Sequence, residues 1–92
     1  MPLFAIYAVD RPGASAIRAA NRDAHLAYSR QLGDRLLIGG PMLAEDGTMT
    51  GSLIIAEFDD LAAAESHAAN DPYSRADLFE YVRIAAWRKV LP

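Results

Sequence analysis

The chain has 92 residues, is 52% hydrophobic and 23% charged, and carries a net charge of −3 at neutral pH. That balance describes one globular domain spanning residues 1–92 and excludes a disordered chain. The absence of cysteine excludes disulfide staples and thiolate metal sites.

Nine basic residues are scattered without a Lys/Arg block, so nucleic acid is not an expected partner. No apolar run approaches the ~20 residues of a membrane-spanning helix. The N-terminal segment has no basic region ahead of its apolar run, unlike a signal peptide. The expectation is a small cytoplasmic protein with no membrane partner.

Residues 3–9 (Leu-Phe-Ala-Ile-Tyr-Ala-Val) are apolar on both faces of an extended chain and read as a central strand. Asp10-Arg11-Pro12-Gly13 is turn chemistry that stops it. Ser15 reads as the cap of a helix from Ala16 to about Leu32, with Gly33 as its stop. Ile17, Ala20, Ala24, Ala27 and Tyr28 recur at helical spacing and are the expected buried stripe. Arg18, Arg22, His25 and Ser29 form a neighbouring row by steps of four, three and four.

Arg35–Ile38 reads as a second strand ended by Gly39-Gly40-Pro41. A polar connection over 44–51 carries Asp46-Gly47, a strong turn signal. Ser52–Phe58 is the third strand, and it forms a hairpin with the second. Asp59 or Asp60 caps a helix over residues 61–70, with Leu61, Ala64 and Ala68 at helical spacing. Asn70-Asp71-Pro72 ends it, because a residue before proline disfavours helical geometry. A short helical turn toward Leu78 precedes a last strand over Glu80–Val90.

The order β-α-β-β-α-β is the split βαβ arrangement of an α+β, ferredoxin-like fold. Its four-stranded antiparallel sheet carries two helices on one face and has no cover for the other. A strand that is apolar on both sides therefore predicts a homodimer packed sheet against sheet.

Three spots can carry chemistry. His25 is one of two histidines, and histidine titrates near neutral pH. It shares a helix row with Arg22. Gly39-Gly40-Pro41-Met42 allows a ligand close to the backbone at a strand end. Asp71-Pro72-Tyr73 holds a carboxylate on a rigid, non-helical backbone. On local grounds Asp71 reads first as a turn residue and Tyr73 and Trp87 as packing residues, while Arg22 reads equally as a solvated helix charge. His67 lies between alanines and reads as structural or exposed. No metal-binding His pattern, phosphate loop or dinucleotide motif is present, so no metal and no cofactor are expected.

These motifs, in order, resemble the YCII (YciI-like) family. The resemblance is carried by Tyr7-Ala8, Arg22-x-Ala24-His25-Leu26 and Leu36-Leu37-x-x-Gly40-Pro41-Met42. It continues through Thr50-Gly51-Ser52, Ile55-Ala56-Glu57-Phe58, Asp71-Pro72-Tyr73 and Lys89-Val90. It implies a dimeric α/β barrel of ferredoxin-like units with a His–Asp pair, here His25 and Asp71. Some members of the family act as dehydrochlorinases on hydroxylated aromatics. The segment between Met42 and Thr50 looks shorter than in many relatives.

The implied chemistry is proton transfer, in elimination or hydrolysis, on a small polar or aromatic substrate. His25 acts as base, and Asp71 fixes its tautomer. Arg22 holds an oxyanion or carboxylate. Ser52 and the backbone near Gly40 donate hydrogen bonds, and Tyr73 and Met42 form walls. The competing readings are a non-catalytic dimeric ligand-binding or accessory module and a cofactor-independent oxygenase.

Overall fold

β1 (Leu3–Asp10) lies in the middle of the sheet, as its two apolar faces require. The computed structural model describes residues 1–92. The following elements are α1 (Ser15–Arg30), a 3₁₀ turn (Gly33–Arg35), β2 (Leu36–Leu43), β3 (Met49–Glu57), α2 (Leu61–Ala69), α3 (Pro72–Arg75) and β4 (Phe79–Trp87). The four strands form one antiparallel sheet in the order β2-β3-β1-β4, with the helices on one face, a ferredoxin-like α+β fold.

Side chains alternate across the sheet, so the register assigns each residue to a face. Phe4, Ile6 and Ala8 of β1 share a face with Ser52, Ile54 and Ala56 of β3 and with Val82 and Ile84 of β4. The core fills this face: Phe4, Ile6, Ile54, Ala56 and Phe58 pack with Leu32 and with Ala64 and Ala68 of α2. The other face presents Leu3, Ala5, Tyr7, Leu53, Tyr81, Arg83, Ala85 and Trp87. No element of the chain covers it, and Tyr81 and Trp87 are exposed there.

Several local expectations are corrected. Gly39, Gly40 and Pro41 do not end the second strand but lie inside β2, which runs to Leu43. Pairing with β3 outweighs their weak strand propensity. Pro41 is tolerated because β2 is an edge strand, where a missing N–H leaves no further strand unpaired. The reversal comes later, at Asp46-Gly47: Gly47 has φ +87° and the Asp46 carboxylate accepts from the Thr48 N–H at 2.9 Å.

Ser15 is the first residue of α1 rather than its cap; Ala14 stands at that position without a side-chain bond. Asp60, by contrast, caps α2 by accepting from the Ala63 N–H at 2.8 Å. The last strand stops at Trp87, and a bulge near its start passes over Glu80, bringing Phe79 opposite Asp10. The bulge turns Phe79 toward the helices, where it meets Tyr73 edge-on at 5.9 Å between ring centres.

The largest correction concerns α1. Its alanine row, Ala20, Ala24 and Ala27, faces solvent, and Ile17 is exposed with it. The buried positions are Arg18, His25 and Ser29, the polar row. Tyr28 is half-buried, and its hydroxyl donates to the His67 carbonyl at 2.8 Å, tying α1 to α2. Polar side chains of this length do not close onto an apolar sheet, so a cleft remains between α1 and the β2–β3 hairpin.

Candidate active site

Asp71 stands at the junction of α2 and α3, with an extended backbone set by the following proline. Its carboxylate caps α3, Oδ1 accepting from the Tyr73 N–H at 2.8 Å. The same carboxylate meets His25 Nδ1, with both oxygens at 2.9 Å. The turn reading and the partner reading of Asp71 are therefore one arrangement: the cap aims the carboxylate at the imidazole. A carboxylate only accepts, so Nδ1 carries the proton and the neutral ring keeps its free lone pair on Nε2. Both side chains are about nine-tenths buried, His25 at 11% and Asp71 at 8% exposure.

Tyr73 lies against the imidazole, ring on ring, at 4.0 Å and 13° between planes. Burial pushes its phenol above the ordinary range, opposed by the charges of Arg18 and Arg22, so the hydroxyl stays protonated near neutral pH. The Arg18 guanidinium lies 4.7 Å from the centre of the same ring. Arg18 grips Asp10 with two parallel bonds of 2.7 and 2.9 Å and donates to Ser52 Oγ at 2.9 Å. Burial alone would lower the Arg18 pKa, but the fork onto Asp10 outweighs it and holds the group above its ordinary value. Arg18, Asp10 and Ser52 thus form a rigid polar floor beside the His25–Tyr73 stack.

The cleft above this floor has a volume of about 190 Å³ and is lined on the helix side by Arg18, Arg22, His25, Leu26, Ser29 and Arg30. Leu36, Gly39, Gly40, Pro41, Met49, Ser52 and Ile54 line it from the sheet, and Tyr73 from α3. Asp71 is not in this wall; it sits behind His25 and borders a smaller recess with Ala68 and Phe79. The structure brings together His25, Asp71, Arg22, Gly40, Pro41, Ser52 and Tyr73. Met42 is a correction: it does not line the cleft. It pairs with Gly51 one residue beyond Pro41, so strand alternation sends it to the uncovered face.

Sequence reasoning missed the Asp10–Arg18 pair and Arg30 as a lining residue, and it placed Ser29 on the His25 row without giving it a role. A signal for the pair existed. Asp10 shares the strand parity of Phe4, Ile6 and Ala8, and Arg18 lies on the His25 row. Ser29 Oγ is buried without a hydrogen-bond partner. There is no cluster of three or more His, Cys, Asp or Glu side chains placed to hold a metal ion. No helix is long and apolar enough to cross a membrane.

Comparison with known proteins bears on the family and the fold. The chain is 42% identical to Protein YciI of Escherichia coli O6:H1, over 96% of this chain and 98% of that protein. An uncharacterised protein of Haemophilus influenzae is 39% identical over 95% of the chain and 97% of its own length. Among solved structures, the 5-chloro-2-hydroxyhydroquinone dehydrochlorinase of Burkholderia phenoliruptrix AC1100, in complex with 2,5-dihydroxybenzoquinone, superposes with a TM-score of 0.87. It is 38% identical, covering 94% of this chain and 93% of that one. An antibiotic biosynthesis monooxygenase shares the fold at a TM-score of 0.59 and 16% identity, covering 99% of this chain and all of that one. Residues 2–88 match the family model of the YCII-related domain, and the chain belongs to the YCII family.

Proposed function

We propose that the protein is a small enzyme that eliminates HX from a hydroxylated, halogenated ring by proton transfer at His25. The observation that carries this reading is the His25–Asp71 pair, with Nδ1 held by both carboxylate oxygens and the ring lining a cleft. A neutral imidazole in that setting is a base at Nε2, and Asp71 stabilises the imidazolium once the proton has arrived. The dehydrochlorinase relative supports the choice of elimination over hydrolysis.

The steps balance without a redox partner. His25 Nε2 takes a proton from a ring hydroxyl and returns it to the halogen-bearing carbon, giving the keto form. It then removes a second hydroxyl proton. That oxygen's electron pair becomes a carbonyl, the C–X bond breaks and halide leaves. The net loss is one HX. Tyr73 and Arg18 hold the imidazole and the floor of the cleft, and Arg22 faces the oxyanion that forms on deprotonation.

The working unit is a homodimer packed through the uncovered sheet face, which carries Tyr7, Tyr81 and Trp87. Trp87 is 37% exposed and Ile38 61% exposed, a large apolar surface for a chain of this size. A monomeric mass in solution at micromolar concentration overturns this part of the reading.

The test of the chemistry is chloride release from 5-chloro-2-hydroxyhydroquinone and from ring analogues with other halogens, alongside quinone absorbance. His25→Ala and Asp71→Asn are expected to abolish release while the fold persists. No release by the wild type, or full rates in both variants, refutes the elimination; ligand binding without turnover supports an accessory role instead.

A further inference from the structure

The cleft holds two cations that the fold leaves unpaired. Arg22 and Arg30 both line it and both are exposed. The ion pairs of the chain are Arg11–Asp77, Arg18–Asp10 and His25–Asp71, and neither arginine belongs to any of them. Arg18 is neutralised by Asp10 and lies in the floor. The chain as a whole is acidic, at −3. Two free guanidiniums at one opening therefore run against the average charge of the surface and give the cleft a local positive potential.

Ser29 adds an independent observation. It lines the cleft, is 7% exposed, and its Oγ has no hydrogen-bond partner. A buried hydroxyl left unsatisfied costs stability, and small native domains contain few of them. The residue lies in the cleft wall with its Oγ shielded, and a χ1 rotation presents the hydroxyl to a ligand. His25 and Ser29 are one helical turn apart, about 6 Å along the axis. A six-membered ring carrying two oxygens can meet both positions at once. Leu26, Leu36, Met49 and Ile54 supply apolar walls for the faces of such a ring.

We infer that the cleft selects the ionised form of an oxygen-bearing ring. Arg22 and Arg30 recognise the negative charge, and the Ser29 hydroxyl bonds a ring oxygen other than the one at His25. Arg30 and Ser29 are thus binding residues that set specificity. The inference deepens the elimination reading and rests on it for the use of His25, but its test is binding at equilibrium.

The probes are 2,5-dihydroxybenzoquinone, a vinylogous acid ionised near neutral pH; gentisate, whose charge is a carboxylate; and hydroquinone, which is uncharged. Each is titrated by calorimetry at low and high salt. The wild type is expected to bind at least one of the two anions roughly tenfold or more tighter than hydroquinone, with a preference that shrinks in high salt. Arg22→Gln with Arg30→Gln removes that preference, because the anions lose roughly tenfold or more in affinity and hydroquinone loses much less. Ser29→Ala weakens the bound anion about fivefold or more, while the melting temperature holds or rises because an orphan hydroxyl is gone. A structural serine would show the opposite pattern.

A tighter fit for the quinone assigns the charge to ring oxygens, and a tighter fit for gentisate assigns it to a carboxylate. Equal binding of all three probes, no binding of any, a preference that survives in the double arginine variant, or unchanged binding in Ser29→Ala each overturns the inference. Chloride release separates the two proposals. If it is lost in His25→Ala while the arginine variant keeps its preference, only the charge selection fails. If it never occurs while the preference depends on the arginines, only the elimination fails.

Discussion

The two longer helices of this fold meet one sheet in opposite ways. α2 lays Ala64 and Ala68 directly on Phe4, Ile6, Ala56 and Phe58, and Ala64 is fully buried. Small side chains let the helix come close, and apolar contact closes the gap. α1 is the longer helix, yet it turns Arg18, His25 and Ser29 inward and its alanines outward. The sheet beneath it is also different: Gly39, Pro41 and Ser52 replace the bulky apolar residues found under α2. One half of the domain is a core. The other half keeps a helix at a distance and fills the boundary with hydrogen-bonded polar groups, which is how a small fold retains both a cleft and enough stability to hold it.

The sharpest way to break this contrast is to remove the chemistry and leave the packing. His25→Gln, which keeps most of the side-chain volume and an N–H for Asp71, is expected to cost about 10²–10⁴-fold in turnover with little change in melting temperature. Steady-state rates and a melting curve on the same sample check it. A large stability loss instead would make His25 a core residue like those under α2.

The next largest effect tests whether the polar boundary itself bears weight. Asp10→Asn leaves the Arg18 guanidinium buried beside a neutral amide, with side chains at 6% and 7% exposure in the native pair. The expected loss is about 3–5 kcal/mol, read by denaturant unfolding. A loss under about 1 kcal/mol would place the pair with surface ion pairs.

On the α2 side, Ala64→Leu is expected to destabilise by about 1–3 kcal/mol through overpacking. Ala24→Leu, on the solvent face of α1, is expected to change stability by less than about 0.5 kcal/mol. Equal effects at the two positions would mean that α1 and α2 pack alike.

The smallest expected effect is a pH dependence from the α2 half. His67 is half-buried, faces Tyr28 and Phe58, and has an Nε2 without a partner. Burial lowers its pKa below the ordinary value of 6.5. Asp71 opposes that shift, and the charges of Arg35 and His25 add to it. The unfolded chain therefore holds the proton more tightly than the native one. This contribution to stability is complete above pH ~6.5 and is lost as pH falls from there toward the native pKa. His67→Phe should flatten the slope of unfolding free energy in that window, and an unchanged slope would remove His67 from the account.

The parts legible in sequence are those with local causes. Residues 3–9 are apolar at every position, so both strand faces had to be covered or paired, and β1 is central. Asp60 before an alanine run caps a helix wherever it is placed, and Asp46-Gly47 turns the chain at the expected point. The Arg22–His25 row was visible as a period of the helix. Less was legible where propensity and pairing disagree. Gly39-Gly40-Pro41 reads as an end of strand, but β3 offers a complete ladder and an edge position excuses the proline. The bulge over Glu80 that aims Phe79 at Tyr73 has no signature in a run that alternates well in either register.

By itself, then, the order of apolar and polar residues determined the elements, their β-α-β-β-α-β sequence and the identity of the titratable candidates. Periodicity and capping act within a few residues of chain. Tertiary structure alone decided which row of α1 faces inward, because a helix shows several rows and only the partner surface selects one. It also placed Asp71 against a histidine 46 positions away, paired Asp10 with Arg18, and sent Met42 to the far side of the sheet. The pairing of distant charges is settled by burial, where an unpartnered charge is costly and a partner must be found.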